Sequence, residues 1–175
     1  MVPPKILNIY IGFEAAETTA YHTLCHSIIE SASGPVRISP ICSKHFNAFF
    51  NRPRDPKQSN DFSFTRFLVP YLNQYDGHAI FMDCDMMLRT DIFKVFDEIS
   101  DQDAISVVQH DYTPSASVKY LNHKQYAYPR KNWSSFVVWN CGHISNQKLT
   151  PEFVEKATGL ELHRFTWLDD SEIGA

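Results

Sequence analysis

Residues 79–88 read AIFMDCDMML, an apolar run that leads directly into two aspartates, Asp83 and Asp85, separated by one residue. A short apolar run that follows a turn signal, here YDG at residues 75–77, is typical of a buried strand. The order of turn, strand and acid places Asp83 at the carboxyl end of that strand. Ligands bind at that end of open α/β sheets. The stretch therefore predicts both a core strand and a binding edge.

The segments before this strand predict a strand–helix–strand unit. Residues 5–13, KILNIYIGF, have the composition of a buried first strand. From Thr18, apolar residues recur at helical spacing until Gly34, and residues 36–41, VRISPI, predict a second strand. This order predicts a right-handed crossover and parallel strands. We therefore expect an α/β fold, a single Rossmann-like domain over residues 1–175 with a mostly parallel central sheet flanked by helices.

The segments after the aspartates continue the alternation of helices and strands. Residues 90–96, TDIFKVF, predict a short helix capped by Thr90, and Thr150 followed by proline predicts another helix start. Two further apolar segments predict strands that end in polar residues, at His110-Asp111 and at Asn140. We expect these ends to share one edge of the sheet with Asp83, and that edge to carry the chemistry.

Two loops carry features of binding segments. Residues 51–61, NRPRDPKQSND, form a polar, proline-containing loop of the kind that often covers an active site. Residues 126–135 place Arg130 and Lys131 among aromatic residues. That second loop suits either a sugar or phosphate contact or an ordinary solvated connection.

Composition excludes several classes of protein. The chain has 175 residues, 43% of them hydrophobic and 21% charged, with a net charge of −4. This balance does not suit a protein that binds nucleic acid through a broad basic surface. The four cysteines form no CxxC pair, so a cysteine-based zinc site is not expected. No secretory signal and no apolar run of transmembrane length occurs, so we expect a cytoplasmic protein without a transmembrane segment.

The spacing of Asp83 and Asp85 suits a metal ion. In extended backbone, side chains two residues apart point to the same side, so the two carboxylates would repel each other unless a cation lies near them. Mg²⁺ and Mn²⁺ prefer such oxygen ligands and keep positions open for phosphate oxygens. The residues alone leave open whether the pair holds a metal–diphosphate or is solvated at the strand end.

Several segments, taken in order, resemble a GT-A-fold glycosyltransferase close to glycosyltransferase family 8. The resemblance covers nearly the whole chain. It rests on an opening strand and helix (IYIGFEAAE), a segment containing Arg66 (FSFTRF), the strand into D-x-D (FMDCD), an Asn-x-Gly element (WNCGH) and a late acidic motif (WLDDSEIG).

The resemblance implies a metal-dependent transferase that moves a sugar from a nucleotide-diphosphate sugar, UDP-linked as in that family, to an acceptor that the sequence does not identify. It also implies retention of the anomeric configuration and a requirement for Mn²⁺ or Mg²⁺. The implied metal ligands are Asp83 and Asp85, and the implied catalytic residues are Asp169 and Asp170. The implied substrate-binding residues are Gly12, Phe13, Glu14, Arg66, Asp83, Cys84, Asn140 and Gly142.

The sequence departs from the family at the metal site. The family completes that site with a histidine in a C-terminal motif, and no such motif occurs before Ala175; His163 precedes the acidic pair and is out of order. We therefore expect a truncated copy of a longer enzyme, a relative with another ligand, or a non-catalytic nucleotide-binding remnant. A haloacid-dehalogenase-like phosphohydrolase is a further alternative because it also uses D-x-D after an apolar strand. Its first aspartate normally follows the first strand, however, and it favours a small residue or Thr where Met87 stands.

Overall fold

A computed structural model describes residues 1–56, 58–109, 130 and 132–175. Its centre is a six-stranded sheet flanked by helices, which confirms the predicted α/β class. The strands lie in the order β2-β1-β3-β5-β4-β6. Their bounds are β1 Leu7–Gly12, β2 Val36–Ile41, β3 His78–Met82, β4 Ile105–Val107, β5 Phe136–Asn140 and β6 Ile173–Gly174.

The sheet is mostly parallel, as predicted, but one central strand is reversed. The β1–β2, β1–β3 and β4–β6 pairs are parallel, whereas β5 runs antiparallel to both β3 and β4. The carboxyl ends of β1, β3 and β4 therefore meet at one edge, and β5 begins at that edge instead of ending there. We call it the Asp83 edge, formed by Gly12, Asp83 and residues 134–136.

In the described ranges, five α-helices connect or flank the strands, at Thr18–Ser31 (α1), Val69–Leu72 (α2), Val95–Glu98 (α3), Pro151–Lys156 (α4) and Gly159–His163 (α5). The long helix α1 matches the predicted one and buries Leu24 and Ile28. Thr150 caps α4 as predicted, since its side chain accepts a hydrogen bond from the amide of Phe153.

Two local predictions need correction. The helix after residue 90 begins with a 3₁₀ turn that is capped by Asp91, not Thr90, because the Asp91 carboxylate accepts from the Phe93 amide at 3.1 Å. The helical spacing of apolar residues from Phe64 to Leu72 predicts a helix that Pro70 would kink or break. The structure has two elements there, a 3₁₀ turn, Thr65–Leu68, and the short helix α2. Pro70 lies in the first turn of α2, where its missing N–H leaves no hydrogen bond unmade, so it starts a helix instead of bending one.

The core lies on both faces of the central strands. Ile80 and Phe81 are adjacent residues of β3 that face opposite sides of the sheet, and both are completely buried. Burial of each such side chain stabilises the fold by about 1.5–3 kcal/mol. On β5, the Trp139 ring stacks on Trp167 with 6.5 Å between centroids and 8° between planes. The Asp83 edge is therefore attached to the most firmly packed strands of the molecule.

None of the helices in the described ranges has both the length and the apolar character needed to cross a bilayer. His110, Asp111 and Lys131, which the sequence singled out, lie outside the described residues.

Candidate active site

Asp83 follows β3 directly, as predicted, and forms an ion pair with Arg66. Arg66 Nη1 lies 2.8 Å from Asp83 Oδ1, at an angle outside the range of a hydrogen bond. Oδ1 itself is buried, whereas 21% of the Asp83 side chain is exposed. The exposed surface therefore belongs to the other atoms of that side chain, and Asp83 can face solvent while Arg66 holds it from below.

Burial dominates the electrostatics of Asp83. Loss of solvent raises the pKa of its carboxyl to about 6, although the Arg66 guanidinium acts in the opposite direction. The negative charges of Asp85 and Glu17 raise the same pKa further. Two neighbouring carboxylates and the Arg66 guanidinium therefore act on Asp83 with opposite signs.

Arg66 is fixed from several sides. It donates through Nη1 to the carbonyl of Ser134 at 2.8 Å and through Nε to the carbonyl of Phe62 at 3.3 Å. Its guanidinium also lies 4.9 Å from the centre of the Phe81 ring. Only 5% of Arg66 is exposed. Arg66 therefore acts on the edge through Asp83 in this conformation, and its contact with a donor stays a prediction.

Asp85 does not lie in extended backbone. The strand ends at Met82, and residues 84–85 form a turn, so the alternation that would align Asp83 with Asp85 does not apply. Asp85 is exposed, but it remains close enough for its charge to act on Asp83. The expectation of two parallel carboxylates on a strand was wrong, whereas their electrostatic proximity is present.

Cys84 points into the protein. Its side chain is 1% exposed, and the thiol donates to Glu17 Oε2 at 3.1 Å. Burial, followed by the hydrogen bond to Glu17, raises the pKa of the Cys84 thiol. Cys84 thus stays protonated and anchors Glu17, and its side chain is covered on the side where a ligand would approach.

The end of β1 contributes the neighbouring part of the edge. Gly12 is buried beneath the Phe62 ring, so the space above this glycine is filled by the protein. Phe13 packs edge-on against Tyr21, with ring centroids 5.2 Å apart. Glu14 accepts a hydrogen bond from the amide of Asp61 at 2.9 Å, which joins the 51–61 loop to the site. Contact of Phe13 and Glu14 with a nucleoside stays a prediction.

Asn140 and Gly142 lie at the opposite edge of the sheet, contrary to the expectation of a shared rim. Asn140 pairs with His78 at the start of β3. At about 3.3 Å per residue, this position is roughly 16 Å from Asp83. The cause is the reversal of β5, which brings the first residues of that strand to Asp83 and carries its last residue away.

Asp169 and Asp170 occupy a capped turn before β6. The backbone amide of Asp169 donates to Glu172 Oε2 at 2.8 Å, and the two residues form a capping box. Asp170 is 92% exposed and forms an ion pair with Arg130. Within the described residues, neither aspartate makes a hydrogen bond or ion pair with Asp83 or Asp85. Their catalytic role stays a prediction.

Several site residues were missed by the sequence. Ser134 accepts from Arg66, and the Ser135 carbonyl accepts from the Asp83 amide at 2.8 Å. The Ser134 hydroxyl also lies 2.8 Å from His163 Nδ1, so the histidine that stood out of order in the sequence supports the anchor of Arg66. In the sequence, Ser134 and Ser135 are marked only by their position immediately before an apolar strand. That position points to the site only once the direction of the strand is known.

A metal site is not preformed. Among the described residues, no group of three or more histidine, cysteine, aspartate or glutamate side chains has an arrangement that could hold a metal ion. The chemistry of the donors nevertheless suits a hard divalent cation, because Glu17, Asp83 and Asp85 offer carboxylate oxygens. Glu17, Asp83 and Asp85 carry three negative charges when ionised, and Arg66 carries one positive charge. These four side chains together therefore have a net charge of about −2.

Comparison with known sequences shows a relative of the chain. No protein-family model matches the chain. The chain is 46% identical over 173 residues to Protein CDI from Arabidopsis thaliana, and the aligned region covers 98% of this chain and 67% of that protein.

Comparison with solved structures shows the fold. The apo structure of the bifunctional glycosyltransferase WbbM superposes with a TM-score of 0.62 at 12% identity, over 99% of this chain and 39% of that one. The apo glycosyltransferase GlyE from Streptococcus pneumoniae TIGR4 gives 0.59 at 12% identity, over 98% and 45%. The galactosyltransferase LgtC with donor and acceptor sugar analogs gives 0.54 at 10% identity, over 96% and 72%. The fold is GT-A-like, and the chain spans less than half the length of the first two structures.

Proposed function

The chain belongs to the family of Protein CDI from Arabidopsis thaliana, and we propose that it acts as a nucleotide-sugar-dependent glycosyltransferase domain of GT-A type, related to family 8. The observation that carries the proposal is Asp83. It stands at the carboxyl end of a central strand, half of a D-x-D pair, and is compensated from beneath by a buried arginine. Ligands of open α/β sheets bind where the parallel strands end, which supports a binding site at Asp83.

The donor in this proposal is a UDP-linked sugar, bound through its diphosphate with Mn²⁺ or Mg²⁺. Asp83 and Asp85 would hold the cation, and the negative excess at the edge supports its binding. The cation would supply charge stabilisation for the departing diphosphate. Arg66 and Ser134 keep the Asp83 carboxylate in position, and Glu17, held by Cys84, adds negative potential. Transfer with retention of configuration follows from the resemblance to family 8.

The test is calorimetric titration of the protein with UDP, with and without Mn²⁺. We expect metal-dependent binding in the unchanged protein and at least a tenfold loss in Asp83→Asn, which removes one charged ligand. Asp97→Asn is the matched control, because Asp97 is an exposed carboxylate on α3, away from the edge. Absence of UDP binding under both conditions would contradict the proposal.

Two further assays separate this proposal from its alternatives. Metal-dependent UDP binding without release of sugar from a panel of UDP-sugars would indicate a nucleotide-binding domain that does not catalyse transfer. Hydrolysis of a generic phosphate ester that is lost in Asp83→Asn would indicate a phosphohydrolase.

A further inference from the structure

A pocket of about 240 Å³ opens between the 51–61 loop and the Thr65–Leu68 turn. It is smaller than the roughly 300–1,000 Å³ of pockets that enclose a drug-sized ligand, so it suits one small chemical group. Its polar lining consists of Ser43, Arg52, Arg54, Gln58, Asp61 and Thr65. Most of these side chains can donate hydrogen bonds, and Asp61 is the one carboxylate among them.

Arg52 is held in a fixed orientation with much of its donor capacity unused. Its Nη1 donates to the carbonyls of Val154, Glu155 and Ala157, at 2.7, 2.9 and 2.6 Å, where α4 ends. Its guanidinium lies 3.7 Å over the Phe64 ring. Within the described part of the chain, Nε and Nη2 make no hydrogen bond, although the negative charge of Asp55 acts on this guanidinium. An arginine fixed in this way offers its remaining N–H groups to an oxyanion.

Thr65 provides an independent observation. The residue is 1% exposed, and its Oγ1 has no hydrogen-bond partner among the described residues. A buried hydroxyl without a partner costs about 1–3 kcal/mol. Thr65 also lines the pocket, so a rotation of its side chain that brings the hydroxyl to a ligand oxygen would remove this cost.

Arg54 can reach a ligand at little cost. It pairs with Asp61, but 57% and 46% of their side chains are exposed, and such surface pairs contribute little to stability. Arg54 can therefore exchange Asp61 for an anion in the pocket.

We propose that this pocket binds an oxyanion, a phosphate or carboxylate group, through Arg52, Arg54 and the hydroxyl of Thr65. This binding is separate from the diphosphate site at Asp83 and does not depend on the proposed transferase activity. The Asp61 amide, which donates to Glu14, connects the pocket to the Asp83 edge, so an occupant would lie beside that edge.

Thermal unfolding in metal-free buffer tests the proposal, with inorganic phosphate or acetate added at constant ionic strength. A saturable rise in Tm with phosphate or with acetate is expected, because a ligand that binds the folded state stabilises it. The response identifies which of the two oxyanions the pocket accepts. Thr65→Val and Arg54→Gln should each weaken the affinity about tenfold, since each removes a hydrogen bond to an anion.

Two controls make the result specific. Arg37→Gln removes an arginine on β2 that donates to Asn8 on β1, and it should leave the response unchanged. Asp83→Asn should also leave it unchanged, which separates this pocket from the diphosphate site. Thr65→Val should fold normally, because it removes only an unpaired hydroxyl. Lack of a saturable response to both anions, or equal responses in Thr65→Val, Arg54→Gln and Arg37→Gln, would overturn the proposal.

Discussion

At the scale of single residues, the candidate site depends on how the negative charge of Asp83 is compensated by Arg66. Its buried oxygen faces Arg66, and Arg66 is held in turn by the carbonyls of Phe62 and Ser134. A buried charge is tolerated only when it is paired. The ion pair therefore connects three distant segments of the chain at one point.

Substitution of Arg66 should show how much the ion pair contributes to the stability of the folded protein. We expect Arg66→Gln to lower the free energy of unfolding by about 3–5 kcal/mol, because it leaves the Asp83 carboxylate without its countercharge. Urea unfolding at neutral pH measures the change. The double variant Arg66→Gln/Asp83→Asn should recover part of the loss, and an undiminished loss would show that packing of Arg66 matters instead of its charge.

The pKa of Asp83 predicts a pH dependence of stability. Burial raises this pKa from the ordinary 3.8 to about 6, so between these values the folded protein binds a proton more tightly than the unfolded chain does. The free energy of unfolding should therefore fall as the pH rises from about 4 to about 6. Urea unfolding in metal-free buffer across this range should give a smaller decrease for Asp83→Asn than for the unchanged protein. Equal slopes would contradict this assignment.

At the scale of elements, the turn after β1 and the 51–68 segment fit closely around Gly12. A Cβ atom at Gly12 would lie 2.3 Å from the Phe62 ring, so a glycine is needed for the approach of that ring. Phe62 in turn supplies the carbonyl that anchors Arg66. Packing at the end of β1 thus helps to place the ion pair at the end of β3.

Gly12→Ala should consequently destabilise the protein by about 1–3 kcal/mol, because the added methyl group displaces the Phe62 ring. Gly142→Ala is the matched control, since a Cβ there would lie 3.7 Å from its nearest neighbour and should be nearly neutral. Chemical unfolding measures both. The double variant Gly12→Ala/Phe62→Leu should lose less than the sum of the two single changes, and additive losses would contradict the clash.

At the scale of the whole molecule, the sheet order separates four inner strands from two outer strands, β2 and β6. β1, β3, β5 and β4 each have a partner on both sides, whereas β2 and β6 each have one. Backbone amides of β1 and β3 should therefore show the slowest hydrogen exchange, and those of β6 should exchange at lower opening free energy. Hydrogen exchange followed by NMR measures this order. Protection of β6 equal to that of β1 would contradict it.

Much of the architecture could be predicted because it depends on local patterns. The apolar run before Asp83, the helical spacing after Thr18 and the cap at Thr150 each involve residues a few positions apart, and each was confirmed. The misplaced cap at Thr90 shows the limit of this approach, since adjacent Thr90 and Asp91 can both cap and only local geometry selects one.

The sequence by itself determined the α/β class, most element positions and the place of Asp83 at the end of a core strand. Tertiary structure alone decided the reversal of β5, and with it the removal of Asn140 from the site and the arrival of Ser134 there. It also decided that Arg66 is buried under Asp83 and that Phe62 covers Gly12. The physical reason is that a strand has the same apolar pattern in either direction. Its direction depends on pairing and packing between residues far apart in the chain, which local periodicity does not encode.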